Sequence, residues 1–498
     1  MTTAALLEDP PVTRPLIHFS SARNWLNDPN GLIFHDGRYH LYFQYNPHGV
    51  DHGFMSWGHA SSADLVTWQE HPVALRYTDE HEIFSGSVVF DERDTSGLGI
   101  GGTAPLVAVF TLAARSGAHQ SQGIASSTDG GLSWSMHSGN PVLDRGSADF
   151  RDPKVFRYSG PAGDYWVMVA VEAVQRKVVL YRSDDLRHWE LLSEYGPRGT
   201  AFGVWECPDL FPLALDGDPD DVRWVLIVSM NPGGVAGGSG TMYVVGSFDG
   251  VRFVPAAPAP EVEPGAKTPD DALAALDWID HGRDCYAGVT FSGLGDEDRI
   301  LIAWMSNWEY AGEMPTDAIE PQRGSMTLAR RLSLVTERGR IRLRQEPIGP
   351  AVVPVAAIAD VEVRPGEPLT FEAPPASRIR LRLRLDDGAS AELRLGDAPA
   401  LAAVLRVRDG ELTLDRRVGS EGLPEAFGSL ERLELRADGL DAVLWLDEGS
   451  IEVFADDGTA VLTDRIPARR SDRVELHAVG GRVRIDEVTV EAEEEDRA

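Results

Sequence analysis

Three carboxylates in this 498-residue chain stand in settings that suit chemistry. Asp28 lies in NWLNDPNGL (24–32), between a tryptophan and a Pro-Asn-Gly run. The same residues also make a good turn, with Pro fixing φ and Gly accepting a positive one. Asp152 lies in DFRDPKVF (149–156) beside Arg151, which equally suits a surface ion pair or an Asx turn. Glu206 lies in GVWECPDLF (203–211), between Trp205 and Cys207. So apolar a neighbourhood predicts a raised pKa, as a general acid needs. An edge-strand Glu facing water is the competing reading. Glycoside cleavage with retention gives a reason to combine such groups. One ionised carboxylate attacks the anomeric carbon and one protonated carboxyl donates to the leaving oxygen, about 5–5.5 Å away.

Acids so far apart in the chain must be brought together by the fold. Residues 14–345 are dominated by strand-length runs such as RYHLYFQY (38–45), SGSVVF (85–90), YWVMVAVE (165–172) and WVLIVSM (224–230). Each is rich in β-branched and aromatic residues and bounded by turn formers. Helical periodicity is scarce; TPDDALAALDW (268–278) reads as a short helix or a loop. HASSADLVTW (59–68), IASSTDGGLSW (124–134) and LYRSDDLRHW (180–189) share a strand, a Ser/Asp turn and a Trp that resumes the next strand. GSFDGVRF (246–253) is a weaker copy with Phe in place of Trp. Such recurrence predicts the four-stranded blades of a β-propeller, four to six in number. Innermost strands of different blades meet at the axis, where separated acids can converge.

The stretch 346–368, rich in Pro, Ala and Val, reads as a linker. Beyond it, over 369–492, runs such as RIRLRLRLDDG (378–388) and VELHAVGGRVRIDEVTV (474–490) alternate apolar and polar residues, with Asp-Gly or Gly-Gly at hairpin tips. That is the pattern of a β-sandwich. Its alternating arginines read as the wet face of a strand, Trp445 as core or interface, and the acidic tail EAEEEDRA as frayed. The overall expectation is an all-β chain with a propeller followed by a sandwich.

Composition narrows the partners. With 46 basic and 78 acidic residues the net charge is −32, which opposes nucleic-acid and anionic membrane binding and is compatible with a neutral sugar. Two cysteines, Cys207 and Cys285, make neither a disulfide framework nor a zinc site by themselves. The histidines show no metal-binding spacing, and neither a metal nor an organic cofactor is expected. MTTAALLEDPPVTRP has no basic run followed by an apolar core, so the sequence as written is expected to be cytoplasmic, or secreted if a leader has been removed. A homodimer through the sandwich is a further expectation.

WLNDPNG, YFQYNP, SWGHASSADLVTW, FSGS, FRDPKVF, WECPDLFPL, DHGRDCYA and IAWMSNWEYA, in that order, resemble glycoside hydrolase family 32, the family of invertases, levanases and exo-inulinases. The likeness resumes at LDEGSIEVFADDGTAVLTDR (446–465). It implies a five-bladed propeller with a C-terminal β-sandwich and a retaining β-fructosidase acting on fructans or sucrose. By the same resemblance Asp28 matches the nucleophile, Glu206 the acid/base and Asp152 the acid that holds fructosyl hydroxyls. Arg151 would orient the carboxylates. Asn27, Gln44 and Ser87 match polar residues of the fructose subsite, and Trp308 an aromatic that packs on the sugar. Trp57 is read as a core residue in preference to a direct sugar contact, while Tyr286 and Asp284 are weaker candidates. Two positions depart from the pattern: His52 and Gln322 stand where a tryptophan is common, which bears on substrate choice and on simple exo-release of fructose. A fructosyltransferase or dimer-releasing fructanase, and a sugar-binding propeller without catalysis, remain open.

Overall fold

A computed structural model describes residues 14–160, 163–259, 268–295, 298–317 and 319–493. Among these, the strands of 24–348 form five blades of successive antiparallel strands around one axis. The innermost strands are Asn24–His35 (blade I), His81–Phe90 (II), Phe150–Gly160 (III), Val204–Leu215 (IV) and Tyr286–Thr290 (V). Blades IV and V touch edge to edge through Leu215 and Leu334. The ring closes where Asn24 and Trp25 pair with Gln322 and Arg323, and where Phe34 N donates to Ser292 O at 2.8 Å. TPDDALAALDW carries one short helix, Asp270–Ala274.

The Ser/Asp repeat links the third and fourth strands in blades I to IV. Asp64, Asp185 and Asp249 each accept two backbone N–H bonds from the turn that follows, for instance Val66 N at 2.9 Å and Thr67 N at 2.7 Å on Asp64 Oδ1. Asp129 holds its turn through Ser133 N at 3.0 Å. A short carboxylate thus substitutes for missing ladder bonds, and the aromatic beyond it starts the outer strand.

The second domain stacks two six-stranded sheets. Ile379, Leu381 and Leu383 face its core, while the intervening arginines pair across strands, Arg378 with Glu491 at 2.6 Å and Arg382 with Asp441 at 3.3 Å. The stretch 346–368, expected to be a linker, instead carries the strand Val352–Val363, which pairs with Val483–Glu493 as an edge of the first sheet. Pro354 is tolerated because it sits at an edge, where the register slips between residues 354 and 356. Of the acidic tail, residues 491–493 complete the last strand; 494–498, like the N-terminal residues 1–13, lie outside the described residues.

The two domains meet through both apolar and ionic contacts. Trp445 is buried at their junction with Ile17, Leu328, Phe454 and Val461. Beside it Arg330 is fully buried and donates to Asp280 at 2.9 Å, Glu452 at 2.6 Å and Thr463 at 2.6 Å. His18 lies between Asp447 and Glu452, 2.8 Å from each, so the segment before blade I crosses the interface as a strap. Burial opposes a charge on His18, yet bonds to the two carboxylates raise its pKa to about 9. Among the described residues no helix is long and apolar enough to cross a membrane.

Candidate active site

Each innermost strand breaks register at the same level. The breaks fall between Leu26 and Pro29, Phe84 and Gly86, Arg151 and Lys154, Glu206 and Asp209, and Tyr286 and Val289. Bulges of this kind re-aim side chains that would otherwise follow the pleat. In three of the five a proline follows directly, as Asp28-Pro29, Asp152-Pro153 and Cys207-Pro208, and removes a ladder donor. Asp152, Cys207 and Ala287 adopt φ values of 61°, 46° and 55° at these breaks. Asp28 therefore sits within a strand rather than in a hairpin turn. Gly31, at φ 53°, lets the strand continue under Tyr42 and Trp57, where a Cβ would lie within 2.9 Å of both rings.

The result is a continuous set of contacts around the axis. Ser85 Oγ donates to Asp28 Oδ2 at 2.7 Å, and Asn27 Nδ2 donates to Asp28 Oδ1 at 2.9 Å. Cys207 lies beneath two acids: its thiol is 3.5 Å from Asp28 Oδ2, and its backbone N donates to Asp152 Oδ2 at 3.0 Å. Arg151 Nη2 donates to Glu206 Oε1 at 3.1 Å, with Nε 4.0 Å from Asp152. The Tyr286 hydroxyl donates to Glu206 Oε2. An aromatic wall stands beside them, in which half-buried Trp308 packs 5.9 Å from Trp25, 5.0 Å from Trp304 and 5.3 Å from His52 between ring centroids. His52 remains open to solvent at the rim. The surrounding rings still lower its pKa by excluding water, against the pull of Asp28, Glu82 and Glu206.

Burial, then repulsion from Glu206, pushes the Asp28 pKa above the usual carboxylate range, while Ser85 and Asn27 oppose the rise. Asp152 is pushed up to about 7 by burial, with Arg151 opposing and Glu206 and Asp28 adding to the shift. Crowded acids of this kind titrate as a group.

The structure sorts the expected residues. Asp28, Asp152, Glu206, Arg151, Asn27 and Tyr286 converge, and Trp308 and His52 line the same site. Gln44 stands behind it, donating to Asn30 Oδ1 at 2.7 Å and Ile83 O at 3.1 Å. Trp57 is fully buried with its indole N–H on Phe84 O at 3.0 Å, which makes it a core residue. Ser87 turns away: its hydroxyl donates to Pro153 O and accepts from Val155 N, both at 2.9 Å. Ser85 takes the place expected of Ser87, because the bulge between Phe84 and Gly86 overrides simple alternation. Asp284 lies in the domain interface, against Arg416. Sequence reasoning missed Ser85 and the Cys207 contacts; the prolines after the acids were the available signal.

Ser85→Ala is expected to lower kcat about tenfold by removing a hydrogen bond to a charged group. The ionised form of Asp28 loses a donor, so the acid limb of the pH–rate profile moves to higher pH. Ser87→Ala should lower Tm by a few degrees and leave that limb in place. Paired pH–rate and melting curves check both.

This chain belongs to glycosyl hydrolase family 32: the family's N-terminal domain model matches residues 18–347 and its C-terminal model residues 369–492. Among particular relatives, a levanase of Bacillus subtilis (strain 168) is 38% identical over 495 residues, covering 96% of this chain and 70% of the levanase. An exo-inulinase structure from Aspergillus awamori superposes with TM-score 0.88 at 33% identity, covering 96% of this chain and 98% of that one. A fructofuranosidase of Schwanniomyces occidentalis complexed with fructose gives TM-score 0.84 at 27% identity, over 96% and 97% of the two chains.

Proposed function

We propose that the protein is a retaining β-fructosidase that hydrolyses terminal β-fructosyl linkages of fructans or sucrose by double displacement. The observation that carries this reading is the meeting of Asp28, Asp152 and Glu206 through Cys207 and Arg151, in a chain similar to a levanase over 96% of its length. Asp28 attacks the anomeric C2 of fructose and forms the glycosyl ester. Glu206 gives its proton to the departing glycosidic oxygen, so the leaving sugar departs neutral. Glu206, now ionised, takes a proton from water, whose oxygen attacks C2 and releases Asp28. Asp152 accepts hydrogen bonds from fructosyl hydroxyls and faces the positive charge that grows at the ring oxygen. Arg151 holds Glu206 and Asp152 in register, and Trp308 packs on the sugar.

Chromatography of products from separate incubations with sucrose, inulin and levan tests the reading. Free fructose from the earliest time points is expected, and its rates rank the linkages. Dimers, cyclic anhydrides or longer transfer products would instead favour the fructanase or fructosyltransferase reading and point to the rim at His52. No product from any of the three sugars would refute the substrate assignment and favour the sugar-binding propeller.

A further inference from the structure

One side chain of the sandwich reaches both flanks of the site. Arg416 follows the strand Glu411–Asp415 and is fully buried. Its Nη1 donates to Asp284 Oδ2 at 2.6 Å and to Arg465 O at 2.7 Å; Nη2 donates to the Tyr310 hydroxyl at 3.2 Å, and Nε to Ser429 Oγ at 2.8 Å. The guanidinium lies 4.3 Å from the centroid of the Phe427 ring. Both partners on the propeller side border the site. Asp284 stands two residues before Tyr286, whose hydroxyl meets Glu206, and Tyr310 stands two residues after Trp308. The Tyr310 hydroxyl also donates to Asp284 Oδ1, and Asn307 Nδ2 donates to Arg283 O at 2.8 Å, tying the two loops together.

The loop before Tyr286 takes its path from the sandwich. His281 N donates to Val461 O at 2.8 Å, Asp284 N to Thr463 O at 3.1 Å, and Arg283 N to Asp464 Oδ1 at 2.7 Å. Gly282 makes this approach feasible, since a Cβ there would stand 2.1 Å from Thr463 O. The loop thus runs along the edge strand Ala460–Arg465, and Arg416 clamps its end.

We propose that Arg416 is a positioning residue for the reaction, holding Tyr286 against Glu206 and Trp308 against the sugar through Asp284 and Tyr310. The inference rests on the β-fructosidase reading of the site. The planar fork bonds two loops at once, which a lysine's point charge does not reproduce. Asp464 and Glu431 also face this guanidinium, so a neutral residue would leave buried acids without a counter-charge. Arg416→Lys is therefore the primary variant.

For Arg416→Lys with sucrose, kcat is expected to fall about tenfold or more, as displacement of a site wall by a fraction of an ångström does. The alkaline limb of the kcat profile should move to higher pH, because the ionised acid/base loses its tyrosine donor. Tyr310→Phe, which removes only the hydroxyl, should raise KM about threefold or more with the pH profile unchanged. His18→Gln, at the distant strap, serves as the control: it should lower Tm and leave kcat, KM and both limbs at wild-type values. A lower Tm in Arg416→Lys with wild-type kcat and pH limbs would overturn the proposal. Should the lysine variant not fold, an unchanged KM in Tyr310→Phe would overturn it and a raised KM would support it. Absence of turnover by the wild-type chain would sink the β-fructosidase reading instead. The pH titration of tryptophan fluorescence, carried by the wall around Trp308, then decides: a shift in Arg416→Lys against wild type supports the positioning role, and superimposable titrations overturn it.

Discussion

Asp28→Asn is expected to reduce kcat on the order of 10⁴-fold or more, the scale of losing the attacking group itself. An amide cannot form the glycosyl ester, and none of the groups around Asp28 replaces it. Ser85 offers only a hydroxyl, and the Cys207 thiol is buried with its pKa pushed well up by burial and by the acids around it. The fold should survive. Asp28 accepts from Asn27 and Ser85, and a serine hydroxyl can turn round to accept from the new amide. Stability should even rise. The folded-state pKa of Asp28 is raised, so above the unfolded value the ionised carboxylate weakens the native state. A neutral amide removes that penalty at neutral pH and leaves no difference below the carboxylate range. Calorimetry against pH, set beside single-turnover rates, checks both halves. Retained turnover would remove Asp28 from the nucleophile's role.

Glu206→Gln is expected to lower kcat on sucrose or fructan about 10²- to 10⁴-fold, the range of a positioned general acid/base. The loss should depend on the leaving group. An aryl fructoside, whose phenol departs without protonation, keeps most of its rate of fructosyl transfer to Asp28, and the second step then limits. Azide, which needs no general base, should restore turnover and yield a fructosyl azide with retained configuration. Two linked changes follow at Asp152. Loss of the Glu206 charge removes a repulsion that raises its pKa, and Arg151 is left with fewer carboxylates to serve. Asp28 is freed from the same repulsion, so the acid limb of the residual activity, which follows its ionisation, should move to lower pH. Equal losses on sucrose and on an aryl fructoside would reassign the proton donor.

Much of this was legible in the chain. The Ser/Asp-turn-aromatic repeat marked the links between third and fourth strands because the aspartate that organises each turn is local. The three acids stood out through their neighbours, and the proline behind two of them is what breaks the strand and aims the side chain inward. Local pattern failed where register or distance decided. Ser85 and Ser87 lie on one face of an ideal strand, and only the bulge between Phe84 and Gly86 separates them. Val352–Val363 reads as a linker because its pairing partner, Val483–Glu493, lies at the far end of the chain. The domain interface was least visible: Arg330 and Arg416 resemble any strand arginine until buried acids from the other domain surround them.

The strap at the start of the described chain has a consequence for how the molecule is made. His18 is bonded to Glu452, 434 positions later, and Leu16 N donates to Asp447 Oδ1 across 431 positions. Residues 16–18 can therefore dock only after the sandwich strands that carry Asp447 and Glu452 have left the ribosome. Until then the apolar surface around Ile17, Leu328 and Trp445 stays uncovered. Blades built from neighbouring strands can form early in synthesis, but docking of the strap waits for the sandwich and belongs to the slow, aggregation-exposed end of folding. Yield of the active protein should then depend more on chaperone capacity and temperature during expression than on the equilibrium stability of the finished fold.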